Sequence, residues 1–204
     1  MLQYQTVAPA TLDLLKKIAV DPAFSAHRLV GGTALALQYG HRLSVDLDFF
    51  SDAPMEYEEV LSSVRPFGKV EVASRSKYIY CLYINDIKVD FVFLPYTWID
   101  VPVTEDAIRL AGIRDIAAMK LAAITNRGSK KDFIDIALLI EHLGLQQMMA
   151  CYREKYPDGM DMMVLRSLVY FEDAEPEADP VMLVPYDWSS IKNKIVAETK
   201  KLIS

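Results

Sequence analysis

The sequence predicts an α/β (α+β) protein: a small α/β unit over residues 1–104, followed by a helical unit over residues 105–204. Three features carry this reading. Ser44-Val45-Asp46-Leu47-Asp48-Phe49-Phe50 alternates strictly between apolar and polar residues, the period of a strand. Lys69–Ser74, Lys77–Ile84 and Ile87–Leu94 are rich in β-branched and aromatic residues, as strands are. From about residue 105 the texture turns alanine-rich and helix-favouring.

The elements follow in order. Pro9–Val20 reads as an opening helix, with Pro9 suited to a first turn and an apolar stripe of Leu12, Leu15 and Ile18. A short apolar run then ends in Gly31-Gly32, and the helix that starts at Thr33 is closed by Gly40. Residues 54–65 form the next helix. Asn85-Asp86 is a tight hairpin turn between the last two β runs. The proline-bearing stretch 94–104 reads as a linker. A helix over 113–127 is interrupted by Gly128. Ser129 then opens another helix, with Asp132 three residues on in a near capping box and Gly144 at its end. Further helices are predicted around 145–155 and 160–172 and from Asp187 to Leu202.

Composition bounds the function. The 204 residues are 52% hydrophobic and 25% charged, enough to build a core and not a disordered or disulfide-scaffold chain. Twenty-two basic and 28 acidic residues leave a net charge of −6, so the molecule is no basic nucleic-acid coat. Residues 107–131 nevertheless carry Arg109, Arg114, Lys120, Arg127, Lys130 and Lys131 against Asp115 alone, a confined basic stretch. Residues 172–187 hold six acids and no base. Cys81 and Cys151 form no CxxC pair, and His27, His41 and His142 lack metal-ligand spacing, which fits a reducing cytoplasm. The first residues lack the features of a signal peptide, and no apolar run approaches the roughly 18 residues that span a membrane.

The sharpest chemistry lies in Val45-Asp46-Leu47-Asp48-Phe49. Alternation puts Asp46 and Asp48 on one face of the strand, roughly 6.5–7 Å apart. A bare Asp-x-Asp is common on a wet strand face. Here, however, aspartate, which strands disfavour, sits in a strongly hydrophobic run. Two such carboxylates repel unless a cation lies between them, and Mg²⁺ (or Mn²⁺) suits their hard oxygens. A two-metal phosphoryl-transfer site needs a third carboxylate, for which Asp90 is the candidate, facing away from the apolar side chains of its strand.

Leu29-Val30-Gly31-Gly32-Thr33 reads as strand, glycine pair and helix start. Glycines admit a phosphate close to the backbone, and a helix start offers free N–H groups and a positive dipole end. Thr33 is placed to cap the helix and touch phosphate. Arg42 and Ser44 stand just before the acidic strand and within reach of the same pocket. A phosphate cradle, a helix and a two-carboxylate strand within 18 residues make a coherent phosphoryl-transfer layout. Lys120 interrupts an apolar run and is a candidate phosphate clamp, with Arg127 on the same helical face. Asp132 and Asp135 share a face of the next helix. Cys81 and the methionines Met148, Met149, Met160, Met162 and Met163 read as packing residues, and Trp188 as a helix-start anchor.

Gly31–Phe50 resembles the signature of the AbiEii/AbiGii-type toxins within the nucleotidyltransferase superfamily. Asp115–Leu139 is similar to that family's second block, through Lys120, Arg127, Lys131-Asp132 and Asp135. The tail, from Tyr170 past Trp188 to Lys192, is also similar, so the resemblance runs from about Leu29 to Lys192. Thr33 stands where serine is frequent, and Lys131 where arginine is. The resemblance implies a nucleotidyltransferase-like fold with a central mixed sheet, and a helical C-terminal domain completing the active-site cleft. It implies transfer of a nucleoside monophosphate from an NTP to an acceptor hydroxyl, tRNA or protein, by the toxin of a toxin–antitoxin or phage-defence pair with a cognate antitoxin. In this scheme Gly31, Gly32 and Thr33 cradle the triphosphate, with Arg42 and Ser44 beside them. Asp46 and Asp48 bind metal, and Asp90 is the third ligand or the base. Lys120 and Arg127 meet phosphate charge, oriented by Asp132 and Asp135. The alternative is a non-catalytic nucleotide-binding regulator of the same fold. A metal-dependent glycosyltransferase would also use Asp-x-Asp, but no sugar-nucleotide domain precedes the motif.

Overall fold

The computed structural model describes residues 1–203, which divide into two compact units: Met1–Thr97 with Val101–Ala111, and Trp98–Asp100 with the chain from Gly112 onward.

The first unit is built on one mixed sheet. Its strands are β1 (Arg28–Leu29), β2 (Leu47–Ser51), β3 (Val70–Arg75), β4 (Ile79–Ile84), β5 (Ile87–Phe93), β6 (Val103–Glu105) and β7 (Ile108–Leu110), in the order β3-β4-β5-β2-β1-β7-β6. β2 runs parallel to β5 and β1 parallel to β7; the other neighbours are antiparallel. Asn85 and Asp86 both take positive φ, 49° and 64°, as a two-residue turn that matches strand twist requires. β6 and β7 occupy residues read from sequence as linker and helix onset. Each is only three residues long, too short for a period to show, and β7 is held by pairing with β1.

Helices α1 (Pro9–Val20), α2 (Gly31–Tyr39) and α3 (Tyr57–Val64) complete this unit. Pro9 opens α1, and the helix buries Leu14, Leu15, Ile18 and Ala19, a stripe displaced from Leu12. Gly40, at φ 71°, ends α2 in a left-handed conformation that favours glycine. Leu47, Phe49, Val89 and Phe91 fill the core under the sheet, and Phe91 stacks on both Phe24 and Phe49. Val45, grouped from sequence with that apolar face, lies ahead of β2 and is 65% exposed.

The second unit holds α4 (Ile113–Ile124), α5 (Lys130–Leu143), α6 (Leu145–Lys155), α7 (Asp161–Leu168) and α8 (Trp188–Ile203). Trp98–Asp100 is strapped onto it: Asp115 accepts the N–H groups of Ile99 and Asp100 at 3.0 and 2.9 Å and pairs with Lys155 at 2.7 Å. Lys155 also lies over the Trp98 ring. Met148 and Met149 are buried as packing residues, whereas Met160, Met162 and Met163 are exposed. Trp188 does start α8, against Phe133 and Phe171. Among the described residues no helix is long and apolar enough to cross a membrane.

Candidate active site

The Gly31-Gly32 turn packs directly against the charged residues that follow it. Gly31 has φ 68°, and a Cβ there would lie 2.7 Å from Asp48 Oδ2. A Cβ on Gly32 would collide with the Arg42 guanidinium, which is buried and donates to the Leu43 carbonyl at 3.0 Å. The glycines are therefore needed for a close approach, but the groups approaching in this structure are Asp48 and Arg42. The backbone N–H of Val30 donates to the Asp48 carbonyl at 2.8 Å, fixing the turn to β2.

Thr33 takes a different place from the cap foreseen in the sequence. α2 starts at Gly31, so Thr33 is its third residue, and no side chain caps this helix. The buried Thr33 hydroxyl donates to the Asp46 carbonyl and hydrogen-bonds Ser44 Oγ at 2.8 Å. Ser44 is anchored in turn by its N–H on the Thr6 carbonyl. Thr33 and Ser44 thus hold the segment that delivers Asp46.

The topology brings the acids together. Parallel pairing sets Asp48 level with Asp90 on the neighbouring strand. Lys88, two residues before Asp90, donates to Asp90 Oδ2 at 2.6 Å. Burial lowers the Lys88 pKa, but Asp90, Asp48 and Asp46 outweigh it and hold the ammonium above the ordinary lysine value. Asp90 Oδ1 is buried without a hydrogen-bond partner. Among the described residues no three His, Cys, Asp or Glu side chains group closely enough to hold a metal ion, so Asp46, Asp48 and Asp90 do not close into a cage by themselves. Cys81, read from sequence as core, is half-buried and pairs in register with Asp90; burial and the Asp90 charge keep its thiol above the usual range. Lys88 was missed in the sequence, although its signal was legible there: in Lys88-Val89-Asp90 opposite charges two apart share a strand face.

In the second unit Lys120 is 5% exposed and pairs with Asp132 at 2.8 Å and Asp135 at 2.6 Å, joining α4 to α5. Ser129 precedes α5, but its hydroxyl donates to Asp132 Oδ2 and caps no backbone N–H, so the near capping box is a side-chain pair. Arg127 reaches the same carboxylate at 3.3 Å with its own side chain 64% exposed. Burial raises Asp132, but Lys120, Ser129 and Arg127 bring it below the usual carboxylate range.

The basic stretch 107–131 is not an open strip. Arg109 donates to the carbonyls of Phe24 and His27, Arg114 pairs with Asp100, and Lys130 binds the Glu177 carbonyl and Asp179. Lys120 and Arg127 serve Asp132. Glu175 in the acidic segment similarly holds Lys192 and the Trp188 ring N–H. Much of the charge separated along the chain is cancelled within the fold.

The fold is that of known nucleotidyltransferases. A putative nucleotidyltransferase from H. pylori superposes with a TM-score of 0.58 at 19% identity, covering 96% of this chain and 95% of that one. The nucleotidyltransferase toxin MenT4 from Mycobacterium tuberculosis H37Rv also gives 0.58, at 16% identity, over 97% of this chain and 86% of that one. In sequence, the uncharacterized protein aq_aa25 of Aquifex aeolicus (strain VF5) is 36% identical over 155 residues, 73% of this chain and 75% of that protein. The model of the nucleotidyl transferase AbiEii toxins of type IV toxin–antitoxin systems matches residues 13–201, the glycine turn, the acidic strands and the Lys120 network included. With nearly the whole chain matched, this protein is a transferase belonging to the AbiEii nucleotidyltransferase toxin family.

Proposed function

We propose that this protein transfers a nucleoside monophosphate from an NTP to an acceptor hydroxyl, using Mg²⁺ or Mn²⁺, and acts as the cytoplasmic toxin of a toxin–antitoxin pair. The observation that carries the reading is the approach of Asp48 to the Gly31 turn, level with Asp90. It sets carboxylates beside a helix start whose free N–H groups suit phosphate.

Asp46 and Asp48, with Asp90, are the oxygen donors that would hold the metal. A hard divalent ion takes one or two protein carboxylates and completes its shell with water and substrate phosphate. When bound, the ion supplies charge neutralisation and orientation of the triphosphate. Gly31 and Gly32 offer backbone N–H groups to the phosphates, and Arg42, fixed against Gly32, adds positive charge at the turn. Where Asp90 serves as the base and not as the third metal donor, its carboxylate takes the proton of the acceptor hydroxyl. The hydroxyl oxygen forms a bond to the α-phosphorus, the bond from that phosphorus to the bridging oxygen breaks, and pyrophosphate leaves with the electron pair. In the second unit Lys120, Asp132 and Asp135 form one ion-pair network that Arg127, its most exposed cation, joins through Asp132.

Labelled NTPs, each with Mg²⁺ or Mn²⁺, incubated with total tRNA or with total protein, test the reading. Label should enter one acceptor pool with wild type and fall to background with Asp48→Ala. Nucleotide binding without label transfer from any NTP would instead favour a regulator of the same fold. Growth arrest on expression of wild type and not of Asp48→Ala tests the toxin role.

A further inference from the structure

Two carboxylates and one ammonium, Asp48, Asp90 and Lys88, share one face of the sheet. Asp48 is level with Asp90, and Asp46 stands one residue ahead of β2. Lys88 Nζ sits 2.6 Å from Asp90 Oδ2, with 37% of its side chain exposed against 15% for Asp90. With Asp46, the four side chains carry three negative charges and one positive. Lys88 offsets part of the repulsion between Asp48 and Asp90 on the paired strands, where like charges side by side are disfavoured. The ammonium is a monovalent cation on a flexible stem of four carbons, able to withdraw without moving the backbone.

We propose that Lys88 is an internal counter-cation that occupies the acidic face in the resting protein and is displaced when the metal–nucleotide binds. This rests on the reading of Asp46, Asp48 and Asp90 as metal donors. It adds a regulatory consequence: the site is closed by its own lysine until a divalent ion, brought with the triphosphate, outcompetes it. Lys88 is a positioning residue, holding Asp90 in place at rest and releasing Oδ2 on loading.

The test is Mn²⁺ titration, by calorimetry or by loss of free-ion electron paramagnetic resonance, on metal-stripped wild type, Lys88→Met and Asp48→Asn, without nucleotide. Removing a competing unit charge a few Å away should tighten Mn²⁺ binding in Lys88→Met by about fivefold or more. Metal-free Lys88→Met should also melt below wild type, and Lys88→Met/Asp90→Asn should recover most of that loss, a readout free of metal and activity. Lys88→Gln serves if the methionine variant does not fold. Equal or weaker Mn²⁺ binding in both Lys88 variants overturns the proposal, while weakened binding in Asp48→Asn would leave the metal-site reading standing. Identical Mn²⁺ binding in wild type and Asp48→Asn overturns both.

Discussion

Asp48 Oδ2 lies 2.7 Å from the point where Gly31 would carry a side chain, so the first glycine of the turn and the second acid of the strand define each other's positions. The φ of 68° at Gly31 adds a conformational demand to the steric one. Gly31→Ala should therefore strain the backbone and push Asp48 out of register with Asp90. The expected outcome is a stability loss of about 1–2 kcal/mol by urea unfolding, with nucleotidyl transfer reduced far more than nucleotide-independent properties. Wild-type activity in a Gly31→Ala protein would contradict this account.

Lys120 should behave as a keystone between α4 and α5. Its replacement by Met leaves Asp132 and Asp135, both fully buried, without their shared counter-charge. Breaking a buried ion pair from one side costs about 3–5 kcal/mol. Thermal unfolding of Lys120→Met should show a fall in Tm of many degrees, whereas Lys131→Met, on an exposed side chain, should change little.

His27 predicts an acid-sensitive step in stability. It is 6% exposed, packs against Phe24 and Phe91, and burial followed by the nearby Arg109 charge lowers its pKa from 6.5 to about 4. The unfolded chain takes up a proton on His27 below pH 6.5, while the folded chain resists until about pH 4. Stability is thus fully present above pH 6.5 and is lost progressively as pH falls towards 4, by up to roughly 3 kcal/mol. His27→Phe should flatten that slope in urea-unfolding curves taken across the window. Asp132, held below the usual carboxylate range, adds a further loss only in stronger acid.

Asp115 is the latch of the Trp98–Asp100 strap. Asp115→Leu would orphan two backbone N–H groups and take from the buried Lys155 ammonium its carboxylate partner at 2.7 Å. A loss of about 3–5 kcal/mol is expected, together with faster cleavage by a limiting protease around residues 96–101. Unchanged cleavage at that strap would show that other contacts hold it.

Much of this architecture was written locally. Pro9, Gly40, Asn85-Asp86 and Gly144 mark the ends and turns they were read to mark, because φ preference and missing N–H groups act within a few residues. The alternation marked β2 and set Asp48 on the face opposite Leu47 and Phe49, and the glycine pair marked a close approach. What the sequence by itself determined, then, was the type of the longer elements and the chemistry of their turns and ends. Only the tertiary structure decided that β5 pairs with β2, so that Asp90 stands level with Asp48 and Lys88 joins the acids. It likewise decided that Thr33 props Asp46, that β6 and β7 extend the sheet, and that Arg109, Arg114, Lys120 and Lys130 are spent on internal partners. Periodicity is a property of a single segment, whereas strand order and ion pairing depend on which distant segments meet, and that is fixed by burial over the whole chain.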